Sequence, residues 1–184
     1  MTDLLDLHKY FILSHLKSGD TCADFTMGNG HDTCFLSNVV GENGHVFAFD
    51  IQESALESTR KNLEKEGCAQ NYTLILDSHH NAEKHINTKI KAGMFNLGYL
   101  PGSGKKEITT KRETTLGAVQ AAIRLLDSDG ILLIAVYPGH EEGRLEGIML
   151  EEYFSTIDRR QMSISKFNIV NSPTSPFFFI CEKR

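Results

Sequence analysis

The chain reads Ala23-Asp24-Phe25-Thr26-Met27-Gly28-Asn29-Gly30-His31-Asp32 at its first change from strand to helix. A strand-like run over residues 21–26 stops at two glycines, and a helical pattern begins near His31. Glycine accepts positive φ and allows a ligand to approach the backbone closely. The N-terminus of the next helix carries free N–H groups and a partial positive charge, which suit a carboxylate or a phosphate. The stretch therefore predicts a ligand-binding turn between strand and helix.

A second apolar strand, His45-Val46-Phe47-Ala48-Phe49, ends in Asp50, roughly twenty residues after Gly30. In nucleotide-binding α/β folds, an acid at this position hydrogen-bonds the ribose hydroxyls. The run is almost continuously apolar, which is typical of a parallel strand covered on both faces. The two strands and their turns together predict a nucleoside-binding edge.

The rest of the chain alternates between helical and strand periodicity. Helices are predicted over residues 4–16, 31–40, 54–66 (with Ser54 as N-cap), 82–90, 109–126 and 142–157, and strands over residues 21–26, 45–51, 72–76, 93–97, 131–136, 163–171 and 177–182. We interpret the segment 127–130 as a turn. This order predicts an α/β fold with a mostly parallel seven-stranded sheet, helices on both faces and a C-terminal antiparallel hairpin. A single domain over residues 1–184 is expected, with the helix within residues 1–18 as part of it.

The composition is that of an ordinary globular protein. Of the 184 residues, 40% are hydrophobic and 23% are charged, and the net charge of −5 argues against a large non-specific nucleic-acid surface. Four scattered cysteines without C-x-x-C spacing favour neither a zinc site nor a disulfide framework, and the histidines lack metal-binding spacing. We expect a cytoplasmic protein without a metal or a membrane segment.

The glycine pattern and its neighbouring acid bear on the type of cofactor. A dinucleotide fingerprint carries a third glycine, whereas here Gly28-Asn29-Gly30 is followed by His31-Asp32-Thr33. Asp24 would also face a pyrophosphate in a dinucleotide site. S-adenosylmethionine has an ammonium group that suits Asp24 and a carboxylate that suits the helix start. Asp50 would then bind its ribose, and Asp77 and Ser78 the adenine edge.

The residues predicted to contact this cofactor come from loops that follow strands. They are Asp24, Met27, Gly28, Asn29, Gly30, His31, Asp32, Asp50, Gln52, Asp77, Ser78, His79 and Asn96. In open α/β sheets, ligands bind beyond the carboxyl ends of the strands, where all these residues are expected.

With these motifs in place, the chain resembles class I methyltransferases with a Rossmann-like fold, and more narrowly the MnmM/YtqB family of rRNA methylases. The resemblance rests on residues 24–33, on Phe49-Asp50-Ile51-Gln52, Ser78-His79, Phe95-Asn96-Leu97-Gly98-Tyr99-Leu100-Pro101-Gly102, and on Gly139-His140 with Glu142-Gly143. It implies methylation of the primary amine of an aminomethyl-thiouridine at the tRNA wobble position, so that the tRNA anticodon loop is the partner.

Two positions depart from the family pattern. The family often has Ala where Phe25 stands, and often Gly-Gly-Asp-Lys where this chain has Gly102-Ser103-Gly104-Lys105. Neither departure changes a residue predicted to contact the cofactor, but the second lies where substrate contacts are expected.

Three residues are predicted to serve the acceptor. Asn96 follows the fourth strand, where its amide oxygen could accept from the amine; Tyr99 could stack on the base or donate its hydroxyl; and His140 could relay a proton. For Asn96, a strand-ending turn is the alternative interpretation, and for His140, a surface position near a helix start.

A short basic cluster past the glycine-rich loop is the candidate contact with RNA phosphates. It consists of Lys105, Lys106, Lys111 and Arg112, and a solvated charged face is the alternative. Several functions stay open on residue patterns: methylation of ribosomal RNA or of a small-molecule amine, a non-catalytic cofactor-binding module, and a nicotinamide oxidoreductase. A homodimer is compatible with the sequence.

Overall fold

The computed structural model describes residues 4–97 and 112–184. Its helices are α1 (Leu4–His15), α2 (His31–Val40), α3 (Glu53–Lys65), α4 (Ala82–His85), α5 (Arg112–Leu125) and α6 (Glu141–Ser155), with a 3-10 turn at His79–Asn81. Its strands are β1 (Thr21–Asp24), β2 (His45–Asp50), β3 (Tyr72–Leu76), β4 (Ile90–Leu97), β5 (Leu126–Val136), β6 (Met162–Phe167) and β7 (Phe177–Lys183). The predicted order of helices and strands is therefore confirmed over these residues.

The strands form one seven-stranded sheet in the order β3-β2-β1-β4-β5-β7-β6. β1 pairs in parallel with both β2 and β4, and β4 pairs in parallel with β5. β7 runs antiparallel to β5 and to β6, which confirms the predicted C-terminal hairpin. After β3 the chain crosses back over β1 to place β4 on its other side, so a crevice opens at the carboxyl ends of β1 and β4.

The last strand of the chain lies inside the sheet, and the strand before it lies at the edge. Residues Phe177–Cys181 of β7 are all buried, whereas β6 exposes Ser165 and Lys166. A continuous apolar run loses least when both of its faces are covered, and an edge strand tolerates charged side chains. The burial pattern thus explains why β7 inserts between β5 and β6.

Several element boundaries differ from the predictions; α4 ends at His85 rather than at residue 90, and β6 ends at Phe167 rather than at residue 171. β4 begins at Ile90 rather than at residue 93, because Ile90 already pairs with Leu126 of β5. The predicted turn at residues 127–130 is an irregularity within β5, where the register shifts and Asp129 adopts a φ of 56°. Helix α3 has Gln52 at its N-cap position without a side-chain cap bond, so the prediction of Ser54 as N-cap is wrong.

An aromatic stack anchors the strand ends beneath the glycine turn. The ring of Phe25 stacks on Phe95 with centroids 4.4 Å apart, and on Phe49 at 5.9 Å. Its edge lies against Gly93, where a Cβ would come within 2.9 Å of Phe25 Cε2. Phe25, at a position where the resembling family often has Ala, is accommodated here because Gly93 leaves room for the ring.

Two buried clusters cover the two faces of the sheet. One includes Phe25, Phe95 and residues of α5, and the other includes Ile12 and Leu16 of α1 packed on β4, β5 and β7. The four cysteines are free thiols, and Cys34 Sγ lies 2.8 Å from Cys68 Sγ. Among the described residues, no helix combines the length and apolar character needed to cross a membrane.

Candidate functional site

The glycine turn after β1 is held in shape by α3 and by the end of β2. Gly28 and Gly30 adopt φ of 52° and 80°, the left-handed region that glycine enters without steric cost. A Cβ on Gly30 would lie 2.8 Å from Thr59 Cα, and Thr59 Oγ1 donates to the carbonyl of Gly28 at 3.1 Å. The turn therefore requires glycine both for its φ and for the close approach of α3.

Asp24 lies at the end of β1 with no exposed surface. Its Oδ2 accepts from Thr33 Oγ1 at 2.6 Å, and its Oδ1 accepts from the Thr26 amide at 3.1 Å. Burial, followed by the nearby Asp32 carboxylate, raises the pKa of Asp24 to about 7, although the two hydrogen bonds oppose the rise. Asp24 is thus a buried carboxyl group that titrates near neutral pH, beneath the turn.

Asp50 closes the turn from the side of β2. Its Oδ2 accepts from the Gly28 amide at 3.1 Å, and its Oδ1 accepts from the Gln52 amide at 3.0 Å. Burial raises the pKa of Asp50, and its backbone hydrogen bonds partly offset this. Each carboxylate oxygen has two lone pairs, so Asp50 retains acceptor capacity for hydroxyl groups of a ligand.

Asn96, near the end of β4, joins three elements. Its Nδ2 donates to Asp32 Oδ2 at 2.5 Å, and its backbone amide donates to Thr26 Oγ1 at 2.7 Å. The hydroxyl of Tyr137, which follows β5, donates to Asn96 Oδ1 at 3.4 Å. The first turn of α2, the end of β4 and the end of β5 thus meet at one side-chain amide.

The loop after β3 approaches the same edge, but its polar side chains are used within the protein. Asp77 accepts from the Ser78 amide and from Asn81 Nδ2, and its Oδ2 lies 2.8 Å from His85 Nε2. These contacts, with Asn81 the largest, lower the pKa of Asp77 to about 2. The hydroxyl of Ser78 accepts from the amide of residue 80, which begins the 3-10 turn.

His79 lies under the β1 end. Its Nδ1 is 3.0 Å from the carbonyl of Phe25, and its ring meets Phe95 edge-on at 5.6 Å. Burial lowers the pKa of His79 and so favours the neutral ring. Because a carbonyl oxygen only accepts, Nδ1 carries the proton and donates to it. His79 thereby ties the β3 loop to β1.

Of the remaining predicted residues, the structure describes the side chains of four and leaves the side chains of the other five undescribed. His140 is the N-cap of α6 and accepts from the Gly143 amide at 3.1 Å, His31 is exposed at the first position of α2, and Asn29 accepts from Ser58 Oγ at 3.0 Å. Met27 is buried beneath the turn. Tyr99, Lys105, Lys106 and Lys111 lie outside the described residues, and only the backbone of Arg112, at the start of α5, is described.

Several side chains that contribute to this edge are not predicted by the sequence pattern. Thr26, Thr33 and Thr59 hydrogen-bond Asn96, Asp24 and Gly28 respectively, and Ile51, next to Asp50, is 60% exposed despite its apolar side chain. The pattern of strand-ending loops located the segment of Ile51. It contained no signal that separates these side chains from their neighbours.

The groups at this edge fit the donor set of S-adenosylmethionine. A buried carboxyl and Asp32 suit an ammonium, the N-terminus of α2 suits a carboxylate, and Asp50 suits vicinal hydroxyls. The cradle of Gly28 and Gly30 would be filled by a Cβ at Gly30. Among the described residues, no three His, Cys, Asp or Glu side chains are grouped as metal ligands.

Comparisons with known proteins agree with this fold and this edge. The family model described as "Putative rRNA methylase" matches residues 46–183. A tRNA (mnm5s2U34)-methyltransferase, chloroplastic, from Arabidopsis thaliana is 37% identical over 92% of this chain, and the match covers 65% of that protein. The chain therefore spans just under two thirds of the length of that curated relative.

Several crystal structures match over the full length of this chain. One, described as a "putative rRNA-methylase" from Clostridium thermocellum, is 38% identical with a TM-score of 0.96, and another, described as a "putative methyltransferase" from Streptococcus mutans and solved in complex with SAH, is 34% identical with a TM-score of 0.90. Each of these two matches covers 99% of the solved chain. With its Rossmann-like sheet, its glycine turn and these relatives, the chain belongs to the rRNA methylase family of class I methyltransferases.

Proposed function

We propose that this protein is an S-adenosylmethionine-dependent methyltransferase that methylates the aminomethyl group of a modified uridine at the wobble position of tRNA. The observation that carries the proposal is the position of Asn96, joined to Asp32 beside the glycine turn. The Arabidopsis relative, named for the same wobble nucleoside, supports the choice of substrate. The solved Streptococcus mutans relative supports the choice of cofactor.

In this proposal the glycine turn and its two acids bind the cofactor. Asp50 accepts hydrogen bonds from the ribose hydroxyls, Asp24 and Asp32 provide negative charge for the ammonium, and the α2 N-terminus receives the carboxylate. Met27, Gly28, Asn29, Gly30 and His31 line the turn, and Gln52, Asp77, Ser78 and His79 lie on the neighbouring loops. When bound, S-adenosylmethionine supplies an electrophilic methyl group on a sulfonium that carries its own leaving group.

The acceptor amine must be held in line with that methyl group and must be unprotonated when it attacks. Asn96 is proposed to accept a hydrogen bond from the amine through Oδ1, which orients the nitrogen lone pair. Tyr99 is proposed to stack on the base, and His140 to relay a proton. For His140 this requires the Nε2 side of the ring, because Nδ1 caps α6.

The contacts with RNA are proposed from the sequence alone. Lys105, Lys106, Lys111 and Arg112 would contact phosphates of the anticodon loop, and a splayed base of single-stranded RNA would suit a small pocket. A homodimer, a cytoplasmic location and the extent of one domain over residues 1–184 are likewise expectations to be tested.

The test is methyl transfer to tRNA that carries the aminomethyl nucleoside. With labelled S-adenosylmethionine, we expect label in the wobble nucleoside with the wild-type protein, and a turnover reduced at least tenfold in Asn96→Ala with cofactor affinity retained. Label in ribosomal RNA or in a small amine alone would favour the alternative substrates. Binding of cofactor without transfer to any RNA pool would point to a binding module and contradict the proposal.

A further inference from the structure

We propose that Tyr137 is a positioning residue for the acceptor amine, and that it holds the amine beside Asn96 at the end of β5. The inference rests on the proposed function and extends it. The orientation of the Asn96 amide, which is set by its contact with Asp32, decides where the amine can approach.

The Asn96 amide has one orientation that satisfies its neighbours. Asn96 Nδ2 lies 2.5 Å from Asp32 Oδ2, and an amide NH2 only donates hydrogen bonds, so the amide nitrogen faces α2. The amide oxygen consequently points away from α2 and toward Tyr137, whose hydroxyl is 3.4 Å from it. An amine that donates to this oxygen therefore approaches on the side of Tyr137.

The phenol oxygen of Tyr137 can serve both groups at once. A hydroxyl has one proton and two acceptor lone pairs. While it donates to Asn96 Oδ1, it can accept from an N–H of the incoming amine. The amine would then donate to two oxygens, from Asn96 and from Tyr137, which leaves the nitrogen lone pair directed away from both.

Packing on the core fixes the position of the Tyr137 side chain. It is half-buried and packs against the cluster that contains Met94 and Ala135. The start of α6 packs closely against the Tyr137 backbone, because a Cβ on Gly143 would overlap the Tyr137 carbonyl oxygen. A hydroxyl on a fixed ring can select one amine position, whereas a mobile side chain would not.

The test compares Tyr137→Phe with Tyr10→Phe, a matched control in which the hydroxyl is removed from a side chain that is 70% exposed on α1. The ligands are two anticodon stem-loops, one with 5-aminomethyl-2-thiouridine and one with unmodified uridine, each titrated in the presence of S-adenosylhomocysteine. The affinity of S-adenosylhomocysteine alone is measured for every protein. Single-turnover methyl transfer to the aminomethyl stem-loop is measured with S-adenosylmethionine.

We expect the wild-type protein and Tyr10→Phe to prefer the aminomethyl stem-loop, and Tyr137→Phe to lose about tenfold of that preference with unchanged affinity for S-adenosylhomocysteine. Asp32→Leu, which releases the amide, should lower the preference as well, whereas Asp32→Asn can still accept from Asn96 and should retain more of it. Equal preference in Tyr137→Phe and Tyr10→Phe would overturn the inference, as would a wild-type protein that binds both stem-loops alike.

The two proposals fail in different ways. If the wild-type protein prefers the aminomethyl stem-loop but transfers no methyl group, the proposed function is wrong, and the preference of Tyr137→Phe still decides the present inference. If methyl transfer proceeds at the same rate in Tyr137→Phe and Tyr10→Phe with equal preferences, the function stands and Tyr137 has no positioning role.

Discussion

Asp24 is fully buried and its pKa is raised to about 7, so the stability of the folded protein depends on pH. The native state binds the proton of Asp24 more tightly than the unfolded state does, since the usual pKa is 3.8. The resulting stabilisation is fully present below pH 3.8 and is lost as the pH rises through about 7. At neutral pH the Asp24 carboxyl of the unliganded protein is partly protonated, and a bound ammonium would favour its charged form.

Asp24→Asn tests this conclusion, because asparagine is neutral at every pH and has nearly the same shape. We expect the melting temperature of the unliganded wild-type protein to fall between pH 5 and pH 8 by more than that of Asp24→Asn. The measurement is a thermal melt across this range. Asp50 titrates in the same direction and is present in both proteins, so it cancels in the comparison. Parallel pH profiles would show that Asp24 titrates outside this range.

Asp50 is the residue whose loss should weaken cofactor binding most directly. Asp50→Ala removes the acceptor of the Gly28 amide and the proposed acceptor of the ribose hydroxyls. We expect the affinity for S-adenosylhomocysteine to fall at least tenfold, because hydrogen bonds to a charged group contribute about 1.5–3 kcal/mol. Calorimetric titration measures the change. Glu64→Ala, an exposed acid on α3, is the control, and an unchanged affinity in Asp50→Ala would place the ribose elsewhere.

At the scale of elements, the turn between β1 and α2 depends on glycine at residue 30 for two separable reasons. A positive φ costs a residue with a Cβ about 1–2 kcal/mol, and a Cβ here would also meet Thr59 of α3. Gly67, after α3, has a φ of 66° but nothing within 4 Å of its would-be Cβ. The two glycines thus share the requirement for positive φ and differ only in the space available for a Cβ.

Gly30→Ala should therefore destabilise the protein more than Gly67→Ala does. We expect about 1 kcal/mol for Gly67→Ala and about 2–4 kcal/mol for Gly30→Ala, the difference being the cost of displacing α3. Chemical denaturation of both variants measures the free energies of unfolding. Equal losses would mean that α3 yields without cost at Thr59.

Two of the missed boundaries, the starts of β4 and β5, share a cause. β4 begins three residues early and β5 includes the segment 127–130, because pairing between the two strands extends both of them. Such pairing joins residues far apart in the chain, so local periodicity does not predict it. The boundaries of α2 and β3, by contrast, agree with prediction at both ends, since glycines or a strand-ending acid mark them in the sequence.

At the scale of the whole molecule, ligand binding and folding are linked. A ligand that binds only the folded state at a hundredfold excess over its Kd stabilises that state by about 2.7 kcal/mol. For a domain of this size, this corresponds to a rise of about 5–11 °C in melting temperature. We expect S-adenosylmethionine or S-adenosylhomocysteine to produce such a shift in a thermal melt. NAD at matched concentration is the control, and a larger shift with NAD would contradict the assignment of the cofactor.

The sequence alone determined the alternation of strands and helices, the glycine turn and its acids, and the family, because these features are written in contiguous residues. Only the tertiary structure decided that Asp32 meets Asn96 across 64 residues, that Tyr137 meets Asn96 across 41, and that β7 lies inside the sheet. These contacts arise from the order and register of strands, which depend on the burial of whole faces rather than on any local pattern. The residues that hold the acceptor in our proposal belong to this second group.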